Sequence, residues 1–394
     1  MSFWATLPQP ILGLAPMDGV TDAAFRRVVA SQGRPDITFT EFTNVNEICR
    51  GPDHLLDSLI YSEAERPIVA QLYGKDPDQF YSAAQVVCEP GFDGLDINMG
   101  CPSKSVAASG SGAALIKTPD LAHAIVRAAR QGLEDWAGGQ SIHSQGFKPS
   151  RIEFIHTLNH SRSGVPVVPR RLLPLSIKTR LGFDCVVVER WVEHLLAARP
   201  AAITLHGRTL QQMYRGAADW SAIAEAAKLA RGTGTLMLGN GDLNTLVDAI
   251  RRAAESKVQG VLVGRGTLGS PWFFREKEQA RRAFSERDDL PTLPAAAWEP
   301  QVSVSHRMQV MLDHARQYEA IAGLERFRSI RKHLGWYCKG FPHAAAMRGK
   351  MFGASNVQDV ERIVAEFCQE LMQAERDASA PTPLAAQPSS VSAA

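Results

Sequence analysis

One thiol follows the most strand-like part of the chain. In the segment 96–102, Gly100 relieves crowding and Pro102 lacks the amide proton that a sheet requires, so the apolar run must end just before Cys101. A cysteine at the end of a buried strand indicates a reactive site. The alternative is a buried structural cysteine, because a free Cys packs well as a small hydrophobic residue.

Other polar side chains occupy the same position at the ends of their own predicted strands. Any one of them could be a solvated loop residue, but so many at strand ends favour one shared site. Together with the cysteine, these residues are Asp18, Glu41, Gln71, Asn98, Cys101, Lys178, Arg180, His206, Asn240, Asp242 and Arg265.

Eight short apolar, β-branched runs are predicted to be strands, and helical patterns separate most of them. This alternation favours parallel strands, and eight units over about 260 residues match a closed (β/α)8 TIM barrel of the α/β class better than an open sheet. The active site of such a barrel lies at the carboxyl ends of the strands. The predicted strands span residues 11–17, 37–42, 67–74, 94–99, 175–181, 203–206, 236–240 and 260–264. The predicted helices include 21–31, 77–88, 119–131, 187–198, 221–229 and 243–254.

Residues 264–269 form a G-x-G-x-x-G pattern, which in isolation predicts a dinucleotide-binding Rossmann fold. The pattern follows the last predicted strand, however, and Pro271 comes where a Rossmann unit would have a long helix. In a barrel, the loops after the seventh and eighth strands form a phosphate site from backbone amides. We therefore expect residues 239–242 and 264–266 to bind a phosphate, with Arg265 adding a charged contact.

The composition is that of an ordinary enzyme with more than one domain. The 394 residues are 45% hydrophobic and 21% charged, which excludes collagen-like, largely disordered and membrane-spanning classes. Residues 1–9 lack the features of a signal peptide, so we expect a cytoplasmic location. The six cysteines are far apart with no C-x-x-C pair, which argues against a zinc knuckle or a disulfide framework. We expect a monomer with no metal and no membrane contact.

Two segments fall outside the barrel pattern. Residues 133–174 are too many for a barrel connection and join a helix to the fifth strand, so we expect a peripheral insertion at the amino-terminal face. After residue 294 the strands stop, and helical patterns cover 306–319, 324–337 and 357–374. The expected domains are a barrel at 1–293, a small C-terminal helical domain at 294–375 and a disordered tail at 376–394.

The predicted helical domain contains a strongly basic segment. Between residues 306 and 350, nine Lys or Arg residues stand against three acids, a net charge of +6, whereas the whole chain carries +2. A local basic patch favours an anionic partner such as RNA, although a solvated helix face gives the same pattern. Helical spacing favours a core role for the aromatic residues Phe327 and Trp336.

Five ordered motifs, at residues 14–22, 98–104, 178–180, 206–209 and 264–266, resemble the tRNA-dihydrouridine synthases. The resemblance extends from about residue 11 to residue 367 and includes the helical domain. It implies a barrel that binds FMN and reduces the C5–C6 double bond of particular uridines in tRNA, with NADPH as the electron source. The residues that it implies at the cofactor are Pro16, Met17, Asp18, Gln71, Lys178, His206, Asn240, Gly241, Asp242, Gly264 and Arg265.

The resemblance implies that Cys101 is the catalytic acid. Hydride addition at C6 of uracil leaves enolate-like charge, and a thiol with an ordinary pKa of about 8.5 is mostly protonated at pH 7 and can supply the proton for C5. Lys178 is implied beside the pyrimidine end of the flavin, where an ammonium group stabilises the charge of the reduced ring. The residues expected to bind the uracil or the tRNA are Asn98, Lys104, Arg180, Arg208, Arg326, Arg331 and Lys332.

Two other functions stay open at this point. A flavin barrel that acts on a free pyrimidine, as dihydroorotate-type dehydrogenases do, would not require the basic helical domain. A non-catalytic RNA-binding protein would not require the set of Cys101, Lys178 and His206. The modified uridine is also open, because residues 110–112 resemble one bacterial subgroup and residues 331–337 resemble another.

Overall fold

The chain folds into two compact units, Met1–Ser303 and Val304–Ala394. The second unit begins later than the expected residue 294, and its last helix continues past residue 375. Residues 380–394 of the expected tail lie outside the described residues. The computed structural model describes residues 2–163, 168–285, 294 and 298–379.

The first unit is built on a single parallel sheet. Its strands are β1 (Ile11–Leu14), β2 (Thr38–Asn44), β3 (Ile68–Tyr73), β4 (Gly94–Met99), β5 (Leu175–Gly182), β6 (Ala202–Thr209), β7 (Leu236–Asn240) and β8 (Gly260–Val263). They are ordered β1-β8-β7-β6-β5-β4-β3-β2. Hydrogen bonds from Leu14 N to Ile37 O (3.0 Å) and from Asp36 N to Leu12 O (2.9 Å) join the two ends of the sheet and close the barrel. The predicted (β/α)8 barrel is confirmed.

Helices connect the strands and cover the outside of the barrel. Several begin at capping aspartates: the side chains of Asp22 and Asp219 accept hydrogen bonds from Phe25 N and Ala222 N. The α-helices of this unit are α1 (Ala23–Gln32), α2 (Val45–Arg50), α3 (Pro77–Cys88), α4 (Lys104–Ala108), α5 (Pro119–Ala137), α6 (Pro149–Ser163), α7 (Val188–Ala197), α8 (Trp220–Leu229), α9 (Leu246–Ser256) and α10 (Lys277–Ser285).

Two hydrophobic cores hold the barrel together. The larger lies between the strands and the surrounding helices. The smaller includes Trp4, Ile11, Phe39 and Leu238. At the amino-terminal ends of β5, β6 and β7, a cavity of about 830 Å³ opens beside Trp4. The polar residues predicted at the strand ends do not line this cavity.

The insertion lies partly elsewhere than expected. Near its end, Arg171 contacts Asp93 just before β4, at the amino-terminal face. Its helix α6, however, packs against the 3-10 helix Asp53–Leu59 and against α2, which follow the carboxyl end of β2. The expectation of a position confined to the amino-terminal face is therefore wrong for α6.

The second unit is helical, as the sequence predicted. In its described part, Phe327 is buried, which confirms its predicted core role, whereas Trp336 is only half-buried; Tyr337 is buried as well. His314 and His333 are also buried, and His314 Nδ1 lies 3.1 Å from the hydroxyl of Tyr337. The elements are α11 (Val304–Ala322), the 3-10 helix Leu324–Ile330, α12 (Arg331–Tyr337), α13 (Ala344–Met351) and α14 (Val357–Ser379).

Candidate active site

Cys101 lies two residues beyond the end of β4 and is 8% exposed. Its backbone N–H donates to Asn98 Oδ1 at 2.8 Å, and Gly100 N donates to the same oxygen at 3.0 Å. The carbonyl of Gly100 accepts from Arg180 Nε at 2.6 Å. The thiol therefore sits on a short loop that side chains of β4 and β5 hold on both sides.

Burial sets the protonation state of this thiol. Desolvation raises the pKa of Cys101 above its ordinary value, and the nearby cations Arg180 and Lys178 only partly oppose that rise. The thiol is therefore protonated at neutral pH, as a proton donor must be. An activated nucleophile would show the opposite shift.

Lys178 occupies the neighbouring strand, paired in register with Asn98. Burial lowers the pKa of Lys178 to about 8, with the charge of Arg180 adding to the effect and Asp96 opposing it. At pH 7 its ammonium group is still mostly charged, so it presents a positive charge close to the thiol.

His206 lies near the centre of a group of cations. Burial, followed by four positive side chains, lowers its pKa well below the ordinary value, so the imidazole is neutral at pH 7. Such a concentration of positive charge favours an anionic ligand at this rim. The four cations are Arg180, Lys178, Arg208 and Arg265.

The loops after β7 and β8 form a cradle with free donors. No hydrogen bond within the described part of the chain uses the backbone N–H groups of Asp242, Arg265 or Gly266. Gly241 has φ +132°, and a Cβ there would lie 2.6 Å from the Cβ of Ala218. Unused amides beside a glycine that admits no side chain are the features of a phosphate site.

The same loops position the residues expected at the flavin. A Cβ on Gly264 would lie 3.1 Å from the sulfur of Met17, so the loop after β1 packs over the loop after β8. Pro16 is half-buried in that loop, whereas Asp18 is exposed. Asn240 Nδ2 donates to the carbonyl of Leu262 at 2.7 Å, which fixes the amide between β7 and β8.

The carboxylate of Asp242, a residue expected at the cofactor, is engaged within the protein. Its carboxylate accepts from Arg208 Nη2 at 2.6 Å, from Ala218 N at 2.8 Å and from Arg265 Nη2 at 2.8 Å. A carboxylate would repel a phosphate, so Asp242 contributes here by orienting two arginines and by its backbone N–H. Arg208 Nη1 is buried and has no hydrogen-bond partner in the described part of the chain, which leaves one donor for an anion.

Several residues expected to bind tRNA are instead committed to the protein. Arg180 is 3% exposed and also donates to the carbonyl of Thr209, while Arg208 is 2% exposed and donates to the carbonyl of Gly216. Both arginines therefore hold loops in place and offer little exposed charge to a tRNA. Lys104, at the start of α4, is exposed and has no partner in the described residues.

The expected tRNA contacts of the second unit lie on α12 and the 3-10 helix before it. Arg326 is exposed and donates to Ala322 O. Arg331 donates to the carbonyls of Ala354 and Gly353, which ties it to the end of α13. Lys332 is half-buried. Arg331 is thus largely used to join helices.

Two residues of the site were not assigned a role from the sequence. Asp96 lies inside the barrel two residues before Asn98, and strand alternation, which places both on one face, was the signal that could have found it. Tyr214 is 60% exposed, and the guanidinium of Arg265 lies 5.5 Å from its ring centre. No sequence pattern marks Tyr214, because its loop has no regular structure.

Two kinds of site are not found within the described ranges. No group of three or more His, Cys, Asp or Glu residues there is placed to hold a metal ion. No helix among those residues is long and apolar enough to cross a bilayer.

Known proteins resemble this chain over most of its length. A model of the dihydrouridine synthase (Dus) family matches residues 13–135 and 162–376. A protein of Bacillus subtilis (strain 168) named probable tRNA-dihydrouridine synthase 2 is 33% identical over 371 residues, which are 93% of this chain and 96% of that protein. A probable tRNA-dihydrouridine synthase of Staphylococcus aureus (strain COL) is 31% identical over 93% of this chain and 95% of that protein.

Among solved structures, DHODH from Eimeria tenella in complex with ferulenol aligns with a TM-score of 0.44 and 13% identity, covering 70% of this chain and 81% of that chain.

The family match omits residues 136–161, which lie within the insertion 133–174. The matched ranges and the two relatives confirm the resemblance found in the motifs. This chain is a member of the dihydrouridine synthase family.

Proposed function

We propose that this protein is a tRNA-dihydrouridine synthase that uses FMN and NADPH to reduce the C5–C6 double bond of uridines in tRNA. The observation that carries the proposal is the position of Cys101 and Lys178 on one rim of the barrel, beside a phosphate cradle. Family membership supports the activity, and the relatives' names supply the tRNA substrate.

The residues at the rim fit FMN. Its phosphate would bind the unused amides of Asp242, Arg265 and Gly266, and the buried Nη1 of Arg208 adds a charged donor. The ammonium group of Lys178 would hold negative charge at the ring. When bound, FMN supplies the hydride that adds to C6 of uracil, and NADPH is the external reductant.

Cys101 supplies the proton in this proposal. As charge develops at C5, the S–H bond breaks and a C5–H bond forms, and the resulting thiolate regains a proton from solvent. Asn98 Oδ1 accepts hydrogen bonds from the Cys101 loop, and one Nδ2–H donates to Gln71. Only the second Nδ2–H of Asn98 is therefore left to bind a base. That group can bind only an acceptor, such as a carbonyl oxygen of uracil.

The tRNA would have to release its uridine from the stack, which costs a few kcal/mol. Contacts elsewhere must offset this cost. Lys104 at the rim and the basic second unit, with Arg326 exposed, are the proposed contacts. A tRNA-modifying enzyme of this kind acts in the cytoplasm.

The function is tested by comparing Cys101→Ala with Cys185→Ala, which changes an exposed thiol on the loop after β5 that has no role in the proposed chemistry. With unmodified tRNA and NADPH, we expect Cys101→Ala to keep its bound flavin and lose about a hundredfold or more in dihydrouridine formation. Cys185→Ala should match wild type. Near-normal turnover by Cys101→Ala would contradict the acid role, and wild-type reduction of free pyrimidines but not tRNA would support a dihydroorotate-type enzyme instead.

A further inference from the structure

A fully buried carboxylate lies below the thiol loop. Asp96 is 0% exposed, and its two oxygens accept from Ser176 Oγ at 2.6 Å and from Gln71 Nε2 at 2.7 Å. Burial raises the pKa of Asp96 to about 6, against the effects of these hydrogen bonds and of Lys178. At pH 8 it is therefore ionised and can only accept hydrogen bonds.

This carboxylate determines how Gln71 is oriented. Because Asp96 can only accept, Gln71 must turn its NH2 group towards it, and its carbonyl oxygen then faces the other way. That oxygen, Oε1, accepts from Asn98 Nδ2 at 2.9 Å. Gln71 is 0% exposed, so water cannot replace either contact.

The orientation of the Gln71 amide in turn determines how the loop that carries Cys101 is held. With Nδ2 held by Gln71, Asn98 turns Oδ1 towards the backbone N–H groups of Gly100 and Cys101, at 3.0 and 2.8 Å. A backbone N–H group can only donate, whatever the pH. Each hydrogen bond between Asp96 and the Cys101 loop therefore pairs one donor with one acceptor. Four side-chain contacts therefore link a residue inside the barrel to the backbone that carries the thiol.

We propose that Asp96 is a positioning residue for Cys101, acting through Gln71 and Asn98. The effect of Asp96 on the Cys101 loop follows from these hydrogen bonds alone. Its consequence for turnover rests on the proposed function, because only there does the thiol deliver a proton.

Two substitutions of similar size separate this role from a general need for a polar or charged residue. In Asp96→Asn, the amide oxygen still accepts from Gln71 and its NH2 group can donate to Ser176, so the contacts persist without the charge. In Asp96→Leu, Gln71 loses its acceptor and its orientation is no longer fixed. Ser176→Ala removes the other contact of Asp96 and is the matched control.

The first measurement is the alkylation rate of Cys101 by iodoacetamide at pH 8, followed by peptide mass spectrometry of the full-length protein with and without FMN. The exposed Cys185 in the same chain is the internal reference. We expect Asp96→Leu to change the rate at Cys101 about fivefold or more, as for the loss of a hydrogen bond. Asp96→Asn and Ser176→Ala should stay within about twofold of wild type, since neither breaks the contact to Gln71.

The second measurement is the rate of tRNA reduction. Asp96→Leu should lower kcat about tenfold or more while KM for tRNA changes little, because a displaced thiol affects the chemical step and not binding. Asp96→Asn should recover most of this loss. If Asp96 acts through Asn98, combining Asp96→Leu with Asn98→Ala should be no worse than Asn98→Ala alone.

Three results would overturn the proposal: wild-type alkylation in Asp96→Leu, equal impairment of the Asn and Leu variants, or additive effects in the double variant. Should Asp96→Leu not fold, Gln71→Met removes the hydrogen bonds between Asp96 and Asn98, one residue nearer the thiol. This variant must then change the rate of Cys101 alkylation in the FMN-free protein about fivefold or more. A wild-type protein that does not reduce tRNA would contradict the proposed function, and the alkylation series would still decide the role of Asp96.

Discussion

Arg208 Nη2 lies 2.6 Å from Asp242 Oδ2, and this ion pair joins the end of β6 to the loop after β7. The arginine side chain is 2% exposed, whereas the aspartate side chain is 31% exposed. The second oxygen of Asp242 binds Arg265, on the loop after β8, at 2.8 Å. One carboxylate therefore holds together the end of β6 and the loops after β7 and β8.

Removing this carboxylate should destabilise the protein. In Asp242→Ala the charge of Arg208 stays buried without its counter-ion, and we expect the free energy of unfolding to fall by about 2 kcal/mol, less than for a fully buried pair because Asp242 is partly exposed. Urea denaturation followed by circular dichroism measures the change. The control is Glu225→Ala, which removes an exposed pair with Lys228 and should cost less than about 1 kcal/mol. Equal effects of the two substitutions would contradict the role of Asp242.

Gly241→Ala should weaken FMN binding. The substitution places a Cβ in contact with Ala218 and forces a residue with a side chain into φ +132°, so the cradle must open. We expect the Kd for FMN, measured by flavin fluorescence, to rise about tenfold or more, equivalent to losing one or two phosphate contacts. Gly146→Ala is the matched control, because Gly146 also has a positive φ (+73°) but has nothing within 4 Å of the added Cβ. It should leave FMN affinity unchanged; an unchanged Kd in Gly241→Ala would place the phosphate elsewhere.

Local patterns predicted the barrel well where strands are short and apolar. The bounds of β4 and β7 and of helix α3 agree with the sequence prediction. Strand β6 was predicted to end at His206 but continues to Thr209. The added residues, Gly207, Arg208 and Thr209, include no apolar side chain, and their backbone is held by contacts such as that between Arg180 and Thr209 O, which no local pattern encodes.

The candidate site was predictable in position but less so in its contacts. Strand ends place Cys101, Lys178 and His206 on one rim because barrel geometry requires it. The partners of the arginines depend on long-range packing: Arg180 and Gly100 are 80 residues apart in sequence. A charged residue at a strand end therefore indicates the rim, but not whether its charge faces a ligand or a neighbouring loop.

The insertion supports a helix at the rim, and its loss should loosen that helix. Arg151 of α6 is 6% exposed and donates to three carbonyls at the end of α2, those of Glu47, Ile48 and Gly51. In Arg151→Ala these carbonyls lose their donors, and the stability of α2 should fall by about 2–3 kcal/mol.

Hydrogen exchange measured by mass spectrometry tests this expectation, because peptides covering α2 should exchange faster in Arg151→Ala while those of β4 do not. Lys148→Ala, at an exposed position next to α6, is the control and should exchange as wild type does. Unchanged protection of α2 in Arg151→Ala would show that the insertion does not support the rim.

The buried histidines should make the second unit sensitive to acid. Burial lowers the pKa of His314 to about 3, and that of His333 falls well below its ordinary value for the same reason, with His314 and Lys332 adding to it. In the unfolded chain an ordinary histidine binds a proton below about pH 6.5, so the unfolded state takes up more protons and stability falls as the pH decreases through that value.

For His314 alone, the loss between pH 7.5 and pH 5 is about 2 kcal/mol. His314→Gln removes this titration, so urea denaturation should show a smaller loss of stability over that interval in the variant than in wild type. The difference between the two proteins is the informative quantity, because carboxylates that titrate in both then cancel. His54→Gln changes an exposed residue and should retain the wild-type dependence. The same pH dependence in His314→Gln and wild type would mean that His314 accepts a proton in the folded state, contrary to its complete burial beside Tyr337.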